Sequence, residues 1–474
     1  MSTISENLVE FIQNTPYEAI PPQLIGRVQA YITDLLGASL PGIPESSSRA
    51  VVRAVLAEGT VPKATIWGSR QGASMSGASL ANGTIAHALE LDDDHRLGTV
   101  HPGAVIIPAA LASAEAVGCD GRTFLRAVLL GYEITCRAGE SFQGRQYYRG
   151  FHPTSTCGVF GAAVASGVVL GLNDDQLIKA LGIAGTQAFG LGEWRADGSW
   201  IKRLHPGRAA QSGILASLLA REGFTGPATI FEGRDGFLRA FSYEEKYDSS
   251  TLLRNLGREF RMSLTAFKPY PGCRFAHAVI DLGIDLLREN RIQAREIEGI
   301  SVRIYKTDIL NYTSRPPITV IAQFSVPYLL ATALLYGKVT LDHLSEQAIR
   351  NPEVLAISDR IHVAEDAQFT AAYPERYPTE VTLKLKSGRT LTGYRDCPRG
   401  DPEAPEYVKS PGAFAKEIEN KFRTLVGKTP FVSRIDTILE TIGELPVGKS
   451  VTPLTALIGV PPVSCAFGKG NHLI

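Results

Sequence analysis

Small apolar residues at helical spacing dominate the first half of the chain. In GVFGAAVASGVVLGL (158–172) and AAQSGILASLLAREGF (209–224), apolar side chains recur every three or four residues, which is typical of buried helices. Ala and Gly allow helix backbones to approach closely, so these helices are expected to pack tightly against one another. We therefore predict an all-helical domain over residues 1–264.

The pattern changes to alternation of apolar and polar residues further along the chain. IEGISVRIYKTDIL (297–310) alternates in this way, and TEVTLKLKSGRTLTGY (379–394) alternates on both sides of Ser387-Gly388. Alternation indicates half-buried strands, and a Ser-Gly pair between two such runs predicts a hairpin. We place a smaller α+β domain at residues 265–397.

After the proline-rich stretch CPRGDPEAPE, the segment PGAFAKEIENKFRTLV (411–426) has helical spacing again. Residues 398–474 are therefore predicted to return to the first domain as helices and to end in a C-terminal tail. The predicted fold class is mainly α, with a large helical domain formed from both chain ends and a smaller α+β domain.

Composition and charge exclude several classes of protein. The 474 residues include 48 basic and 48 acidic side chains, so the formal net charge is zero, which argues against nucleic-acid and acidic-membrane partners. No apolar run is long enough to span a membrane, and the N-terminus lacks a signal-peptide pattern. We expect a cytoplasmic protein.

The cysteines are scattered and form no CxxC pair, which argues against a zinc ribbon or an iron–sulfur site and fits a reducing compartment. The six are Cys119, Cys136, Cys157, Cys273, Cys397 and Cys465. No cofactor is predicted from them.

Ionisable residues cluster in AHALELDDDHRLGTVHPGAVIIPAALA (86–112), directly before an apolar segment. The cluster contains Glu90, Asp92, Asp93, Asp94, His95 and His101. Buried carboxylates are costly unless they are paired or ligated, so the cluster is a solvated loop, a metal site or a catalytic site. A metal site would use Asp92, Asp94, His95 and His101, but this mixture of ligand types is not specific. We predict no metal.

The dipeptide His-Pro occurs at His101, His152 and His205, each time before a small-residue apolar segment. Proline is favoured at the first position of a helix, and helix N-termini attract anions. Lys268 and Arg274 flank a Pro-Gly turn that opens a fourth predicted helix. If these helix starts converge, the space between them suits carboxylates.

Several segments together resemble the MmgE/PrpD family, which contains 2-methylcitrate dehydratases, cis-aconitate decarboxylases and iminodisuccinate epimerases. They are AHALELDDDH (86–95) with HPG (101–103), FHPTSTCG (151–158), WIKRLHPGRAAQSG (200–213), GFTGPATIFEGRDGF (223–237), FKPYPGCRFAHA (267–278) and QFSVPY (323–328). The resemblance runs in order from about residue 5 to about residue 426 and leaves out 427–474. It implies a helical domain with an α+β lid, a homodimer and no required cofactor.

The resemblance also implies a set of site residues. In the decarboxylase branch the matching positions are Glu90, Asp94, His101, His152, Lys202, Lys268 and Tyr328, and we add Arg274 and Ser325 as substrate-binding residues. Two positions depart from the family pattern. The first acid is usually Asp and is Glu90 here, and Asp94 replaces a hydroxyl, with one extra residue before His101.

The chemistry of these residues fits citrate-like acids. Removal of a proton beside a carboxylate requires a base with a pKa near neutrality, which His101 or His152 supplies. Lys202 and Lys268 supply positive charge that stabilises the developing negative charge. A small-molecule carboxylate is therefore the predicted ligand.

The remaining acids have supporting roles in this interpretation. Glu90 and Asp93 are predicted to orient a catalytic histidine, since a carboxylate on the second ring nitrogen holds the ring and raises its basicity. Asp92 and His95 are assigned to a solvated rim, and Asp94 is assigned to substrate binding, with the rim as its alternative.

We predict a lyase that dehydrates 2-methylcitrate or another alkylcitrate. The alternatives are cis-aconitate decarboxylation, iminodisuccinate-type epimerisation, and a catalytically silent binding protein with the same fold. A silent protein would have lost the lysines or the His-Pro histidines, and all of them are present.

Overall fold

The computed structural model describes residues 2–59, 61–307 and 310–460. The first part of the chain forms mainly helices: α1 (Ile4–Gln13), α2 (Pro22–Ser39), α3 (Ser46–Ala57), α4 (Met75–Ala86), α5 (Gly103–Val117), α6 (Gly121–Glu140), α7 (Pro153–Val169), α8 (Asp174–Gly185), α9 (Trp194–Asp197), α10 (Ile201–Arg221) and α11 (Phe237–Phe241). Two short antiparallel pairs accompany them, β1 (Ala64–Thr65) with β2 (Gly72–Ala73), and β3 (Asp94–His95) with β4 (Thr265–Ala266).

The central helix of this region is α7, in which every residue is buried. It packs against α5, α6 and α10. Helices α4 and α10 cross at Gly83 and Gly207, where a Cβ on Gly83 would lie 2.5 Å from the Gly207 Cα. This close approach brings the acidic segment after α4 next to the N-terminal turn of α10, which carries Lys202.

A four-stranded sheet follows, built from β5 (Ile297–Ile304), β6 (Ile361–Glu365), β7 (Thr379–Leu385) and β8 (Thr390–Arg395) in the order β6-β5-β7-β8. Strands β5 and β6 are parallel and the other pairs are antiparallel. The described residues of this region also form the helices α12 (His277–Asn290), α13 (Thr319–Ala322), α14 (Val326–Tyr336), α15 (Pro352–Ser358) and α16 (Ala367–Ala372).

The predicted hairpin is confirmed. Lys384 of β7 pairs with Thr390 of β8, and Gly388 has the positive φ of 86° that the turn between them requires. In the middle of the sheet Val302 lies between Val381 and Val363. The alternation seen in the sequence therefore corresponds to real strands with one buried face.

The last helices are α17 (Pro405–Lys409), α18 (Pro411–Val426), α19 (Ile435–Glu444) and α20 (Thr452–Gly459). Helix α18 packs on α2, so the C-terminal part returns to the N-terminal helices as predicted. The larger hydrophobic core draws buried residues from 8–267 and from 397–458. A smaller core, with residues from 147 to 385, lies mainly under the sheet.

The predicted mainly α fold is confirmed. The exact domain boundaries at residues 264 and 397 stay a prediction, and Cys465 and the rest of the predicted tail after residue 460 lie outside the described residues. Of the helices in the described part of the chain, none has the length and apolar character needed to cross a membrane.

Two of the three His-Pro pairs precede helices as predicted. His152 is the N-cap of α7, and His101 lies two residues before α5. The prediction for His205 is wrong, because α10 begins at Ile201 and Pro206 lies inside it. A proline this close to the start removes one backbone hydrogen bond, and the helix continues through it.

Candidate active site

A small cavity lies where the segment after α4, the start of α10 and the segment after β4 meet. Its lining consists of Glu90, Asp94, Thr99, His101, Tyr147, Trp194, Lys202, Lys268, Cys273, Arg274, Phe275 and Phe324. The cavity volume is about 20 Å³. A single water molecule needs about 10–15 Å³ on the same scale, so this arrangement holds about one water.

Glu90 bridges two lysines at the centre of the site. Lys202 Nζ donates to Glu90 Oε1, and Lys268 Nζ donates to Glu90 Oε2 over 3.2 Å. Burial alone would raise the pKa of Glu90, but the two ammonium groups hold that pKa well below its usual value. Burial alone would lower the pKa of Lys268, but Glu90, Asp92 and Asp94 raise it above its usual range. Glu90 and Lys268 are therefore both charged at neutral pH.

His87 and Asp92 extend this network. Lys202 Nζ lies 3.0 Å from His87 Nε2, and His87 Nδ1 lies 2.7 Å from Asp92 Oδ2. Because the ammonium donates to Nε2, the ring proton is on Nδ1 and is donated to Asp92. Burial lowers the pKa of His87 despite the neighbouring Asp92 carboxylate, which favours this neutral tautomer.

His101 lies beside the lysines with one nitrogen available to a ligand. Its Nδ1 lies 2.7 Å from the main-chain carbonyl of Asp93, and a carbonyl only accepts, so Nδ1 carries the proton. Burial, together with the nearby Lys268, holds the pKa of His101 well below its usual value. The imidazole is therefore neutral, with its lone pair on Nε2, as a general base requires.

His152 pairs with His205. The two Nδ1 atoms are 3.0 Å apart, so one ring donates to the other. His152 is fully buried, and burial with the neighbouring His205 holds its pKa well below its usual value. Within the described part of the chain, His152 Nε2 has no hydrogen-bond partner. His152 does not line the cavity, but its ring centroid lies 6.1 Å from those of the lining residues His101 and Tyr147.

Ring nitrogens of His87, His101 and His152 lie within 4.8 Å of one another, a spacing that could hold a metal ion. The neighbouring charges oppose this. His87 Nε2 is already engaged by the Lys202 ammonium, and Lys268 adds a second positive charge at the cavity. The arrangement suits an anion better than a divalent cation.

Two protein-family models match most of the chain. The model of the MmgE/PrpD N-terminal domain matches residues 6–250, and that of the MmgE/PrpD C-terminal domain matches residues 270–441. The chain belongs to the MmgE/PrpD family. This confirms the predicted family and, with it, the prediction of an enzyme of the lyase class.

Three curated relatives in the MmgE/PrpD family show which enzymes this chain is similar to. Cis-aconitate decarboxylase of Aspergillus terreus is 26% identical over 482 residues, covering 97% of this chain and 96% of the relative. Cis-aconitate decarboxylase of Mus musculus is 24% identical and covers 99% and 96%. The mitochondrial 2-methylcitrate dehydratase of Yarrowia lipolytica is 22% identical and covers 76% and 72%.

The contacts of Asp93 differ from the prediction for this MmgE/PrpD site. Asp93 Oδ1 accepts from the Gly103 N–H at 2.9 Å, and Oδ2 accepts from the Tyr132 hydroxyl at 2.7 Å. The carboxylate therefore caps the start of α5, and only the main-chain carbonyl of Asp93 contacts His101. Glu90 likewise contacts lysines, with His87 Nε2 no closer than 3.9 Å. Next to the lysines, the histidine that a carboxylate holds is His87, and the carboxylate is Asp92.

The prediction of a solvated rim is wrong, because Asp92, Asp94 and His95 are 0%, 3% and 0% exposed. Asp94 lines the cavity, and burial raises its pKa to about 6. His95 Nε2 lies 2.7 Å from Glu140, away from the cavity lining. Asp92 and Asp94 each lie 3.8 Å from His101 Nδ1, but His95 is held by Glu140, so the alternative metal set of four residues is incomplete.

Arg274 lines the cavity as predicted, but its guanidinium is already engaged. It donates to the carbonyl of Arg399 over 2.6 Å and to that of Pro398 over 3.1 Å. These bonds tie the cavity wall to the chain after the sheet.

Tyr328 and Ser325 do not line the cavity. The Tyr328 hydroxyl donates to the carbonyl of His343 over 2.6 Å. Ser325 Oγ accepts from the Tyr328 N–H at 3.1 Å and caps α14. Both residues thus position α14 outside the cavity lining, and their predicted substrate contacts stay a prediction.

Sequence reasoning missed His87 and the aromatic wall of Tyr147, Trp194, Phe275 and Phe324. Lys202 Nζ lies 5.6 Å from the ring centroid of Trp194 and 5.7 Å from that of Phe324. His87 had a signal, since it stands three residues before Glu90, within the same cluster of ionisable residues. The aromatic residues had none, because single aromatic side chains are usual in any core.

Proposed function

We propose that this MmgE/PrpD protein is a lyase that acts on a citrate-like di- or tricarboxylate by proton transfer at the carbon beside a carboxylate. The observation that supports it most is the meeting of two buried ammonium groups, Lys202 and Lys268, with the neutral, buried His101 at one cavity. A carboxylate held by both lysines would place its α-carbon next to a base.

The lysines have the role of electrostatic stabilisers in this proposal. Negative charge that develops on the bound carboxylate after proton loss is offset by two ammonium groups in a buried site. His101 Nε2 takes the proton. His152 is a second candidate for proton transfer, because its Nε2 atom forms no hydrogen bond with any described residue.

Dehydration of an alkylcitrate such as 2-methylcitrate is the first candidate reaction, and Asp94 supports it. Dehydration removes the α-proton and the β-hydroxide, and the departing oxygen needs a proton to leave as water. A cavity-lining carboxyl with a pKa of about 6 is partly protonated near neutrality and suits this role.

Decarboxylation of cis-aconitate is the second candidate, supported by relatives of that name that match nearly the whole chain. In this reaction the carbon–carbon bond to one carboxylate breaks, its electron pair stays on the substrate carbon, and CO2 leaves. A histidine then donates the proton that completes the product. Iminodisuccinate-type epimerisation would use the same proton transfer without a leaving group.

A substrate panel separates these reactions. Purified protein is incubated with 2-methylcitrate, citrate, cis-aconitate and iminodisuccinate, and products are identified by mass spectrometry with a chiral separation. Loss of water, loss of CO2 and inversion without mass change identify the three reactions. Binding of these acids without turnover of any of them would favour the catalytically silent protein.

Activity is expected to survive prolonged incubation with EDTA and exposure to air. The two ammonium groups supply the charge stabilisation that a metal would otherwise give, and the cysteines among the described residues form no cluster of metal ligands. Turnover before and after chelation measures this. Loss of activity that a divalent ion restores would overturn the metal-free mechanism and assign the three histidines to a metal.

We also propose that the protein is a cytoplasmic homodimer. The family resemblance supports the dimer, and the balanced charge and scattered cysteines support a reducing compartment. Light scattering coupled to size-exclusion chromatography measures the dimer directly, and cell fractionation measures the compartment.

A further inference from the structure

Glu90 presents a carboxylate to the same two ammonium groups that the proposed function assigns to the substrate. We propose that Glu90 is an internal occupant of this carboxylate site, which the substrate carboxylate displaces, and that the displacement takes up a proton. The inference rests on the proposed function, because it concerns the same two lysines.

The contacts of Glu90 are those expected of a bound carboxylate ligand. Each carboxylate oxygen accepts from a different ammonium group, Oε1 from Lys202 and Oε2 from Lys268. The residue is 5% exposed and lines the cavity. A substrate carboxylate could bridge the two lysines in this way only by taking the place of the Glu90 carboxylate.

The size of the cavity points the same way. Its volume of about 20 Å³ leaves no room for a citrate-like acid beside the Glu90 side chain. The Glu90 backbone has a φ of 55°, in the left-handed region that disfavours residues other than glycine. The N–H of Gly272 holds this conformation by donating to the Glu90 carbonyl over 3.1 Å. Strained backbone at a ligand site is consistent with a residue that changes position on binding.

A displaced Glu90 carboxylate needs a new partner, because a buried carboxylate without one is costly. The charged and titratable groups around it are His87, Asp92, Asp94 and His101 before α5, Lys202 on α10, and Lys268, Cys273 and Arg274 after β4, with Tyr147 across the cavity. With both lysines engaged by the ligand, His87 is the nearest remaining base, its Nε2 being 3.9 Å from Glu90 Oε1. One proton, taken up by Glu90 or His87, would stabilise the displaced side chain.

Titration calorimetry with tricarballylate tests this inference. Tricarballylate has the carboxylates of citrate without the hydroxyl, so it cannot be dehydrated. Glu90→Gln keeps the side-chain shape and removes the competing charge, so it should bind tricarballylate at least about tenfold more tightly than the wild type. Glu90→Asp is too short to bridge both lysines and should bind with intermediate affinity.

The same titrations, repeated in buffers of different ionisation enthalpy, measure how many protons the protein takes up when tricarballylate binds. The wild type should take up about one proton more per bound tricarballylate than Glu90→Gln. Asp94→Asn is the matched control, because it removes a cavity carboxylate that accepts a hydrogen bond from neither lysine, and it should retain the uptake linked to Glu90. Melting temperatures establish that the variants are folded.

The outcomes separate this inference from the proposed function. Wild-type binding with equal or weaker binding by folded Glu90→Gln would overturn the inference and make Glu90 a support for the lysines. Proton uptake that is the same in the wild type and Glu90→Gln would also overturn it. No carboxylate binding by either protein would overturn the proposed function itself.

Discussion

Lys202→Ala is expected to lower kcat/KM for the accepted substrate by at least about a hundredfold, the scale of losing one electrostatic stabiliser. The Lys202 ammonium contacts Glu90 and His87 and lies over the rings of Trp194 and Phe324. Among the described residues of the cavity lining, no other cation contacts the Oε1 atom of Glu90. Steady-state kinetics measure the effect, and a folded Lys202→Ala within a few fold of the wild type would remove this lysine from the mechanism.

Lys421→Ala is the matched control for this prediction. The Lys421 side chain is 7% exposed, as is that of Lys202, but its ammonium donates to Asp34 and to the Leu91 carbonyl outside the cavity lining. Its loss leaves the Asp34 carboxylate buried without its partner and should lower the melting temperature. Its effect on kcat/KM should be much smaller than that of Lys202→Ala, which separates loss of a buried charge from loss of catalysis.

The spacing of apolar residues along the chain predicted the helices and strands correctly wherever that spacing matches the buried face of the element. The hairpin of β7 and β8 formed around Ser387-Gly388, and the small-residue segment 158–172 became most of α7. The pattern failed at His205-Pro206, where proline suggested a helix start. Neighbouring helices stabilise α10 enough for it to begin earlier and continue through the proline, and such tertiary packing is invisible to local preference.

The sequence predicted most of the residues that line the candidate site, but it did not predict which of them contact one another. The lysines, His101 and Glu90 do line one cavity, yet Asp93 caps a helix and Asp92 holds His87. Four acids in five residues look alike in sequence. Which of them meets a histidine depends on how the segment leaves α4 and turns through the left-handed conformation of Glu90. The distant contacts of Tyr328 with His343 are equally beyond the reach of a short motif.

Proton exchange offers the sharpest view of the base, because it isolates proton transfer from later steps. In D2O the wild type should exchange the proton beside a carboxylate of a bound substrate or product, measured by nuclear magnetic resonance. Burial and nearby lysines lower the pKa of His101, so its imidazole stays neutral below its ordinary titration range. A base with a lowered pKa loses activity only when the pH falls below that pKa, so exchange should persist through mildly acidic pH.

His101→Gln and His152→Gln should each suppress this exchange by roughly a hundredfold or more, the usual contribution of a positioned general base. His95→Gln is the control for loss of a buried histidine. His95 contacts Glu140 outside the cavity lining, so its variant should be less stable but should exchange nearly as fast as the wild type. Exchange that persists in the first two variants and vanishes in a folded His95→Gln would show that the base lies elsewhere. If the wild type shows no exchange yet releases CO2 from cis-aconitate, the carbanion arises by carbon–carbon cleavage, and the histidines act only as proton donors.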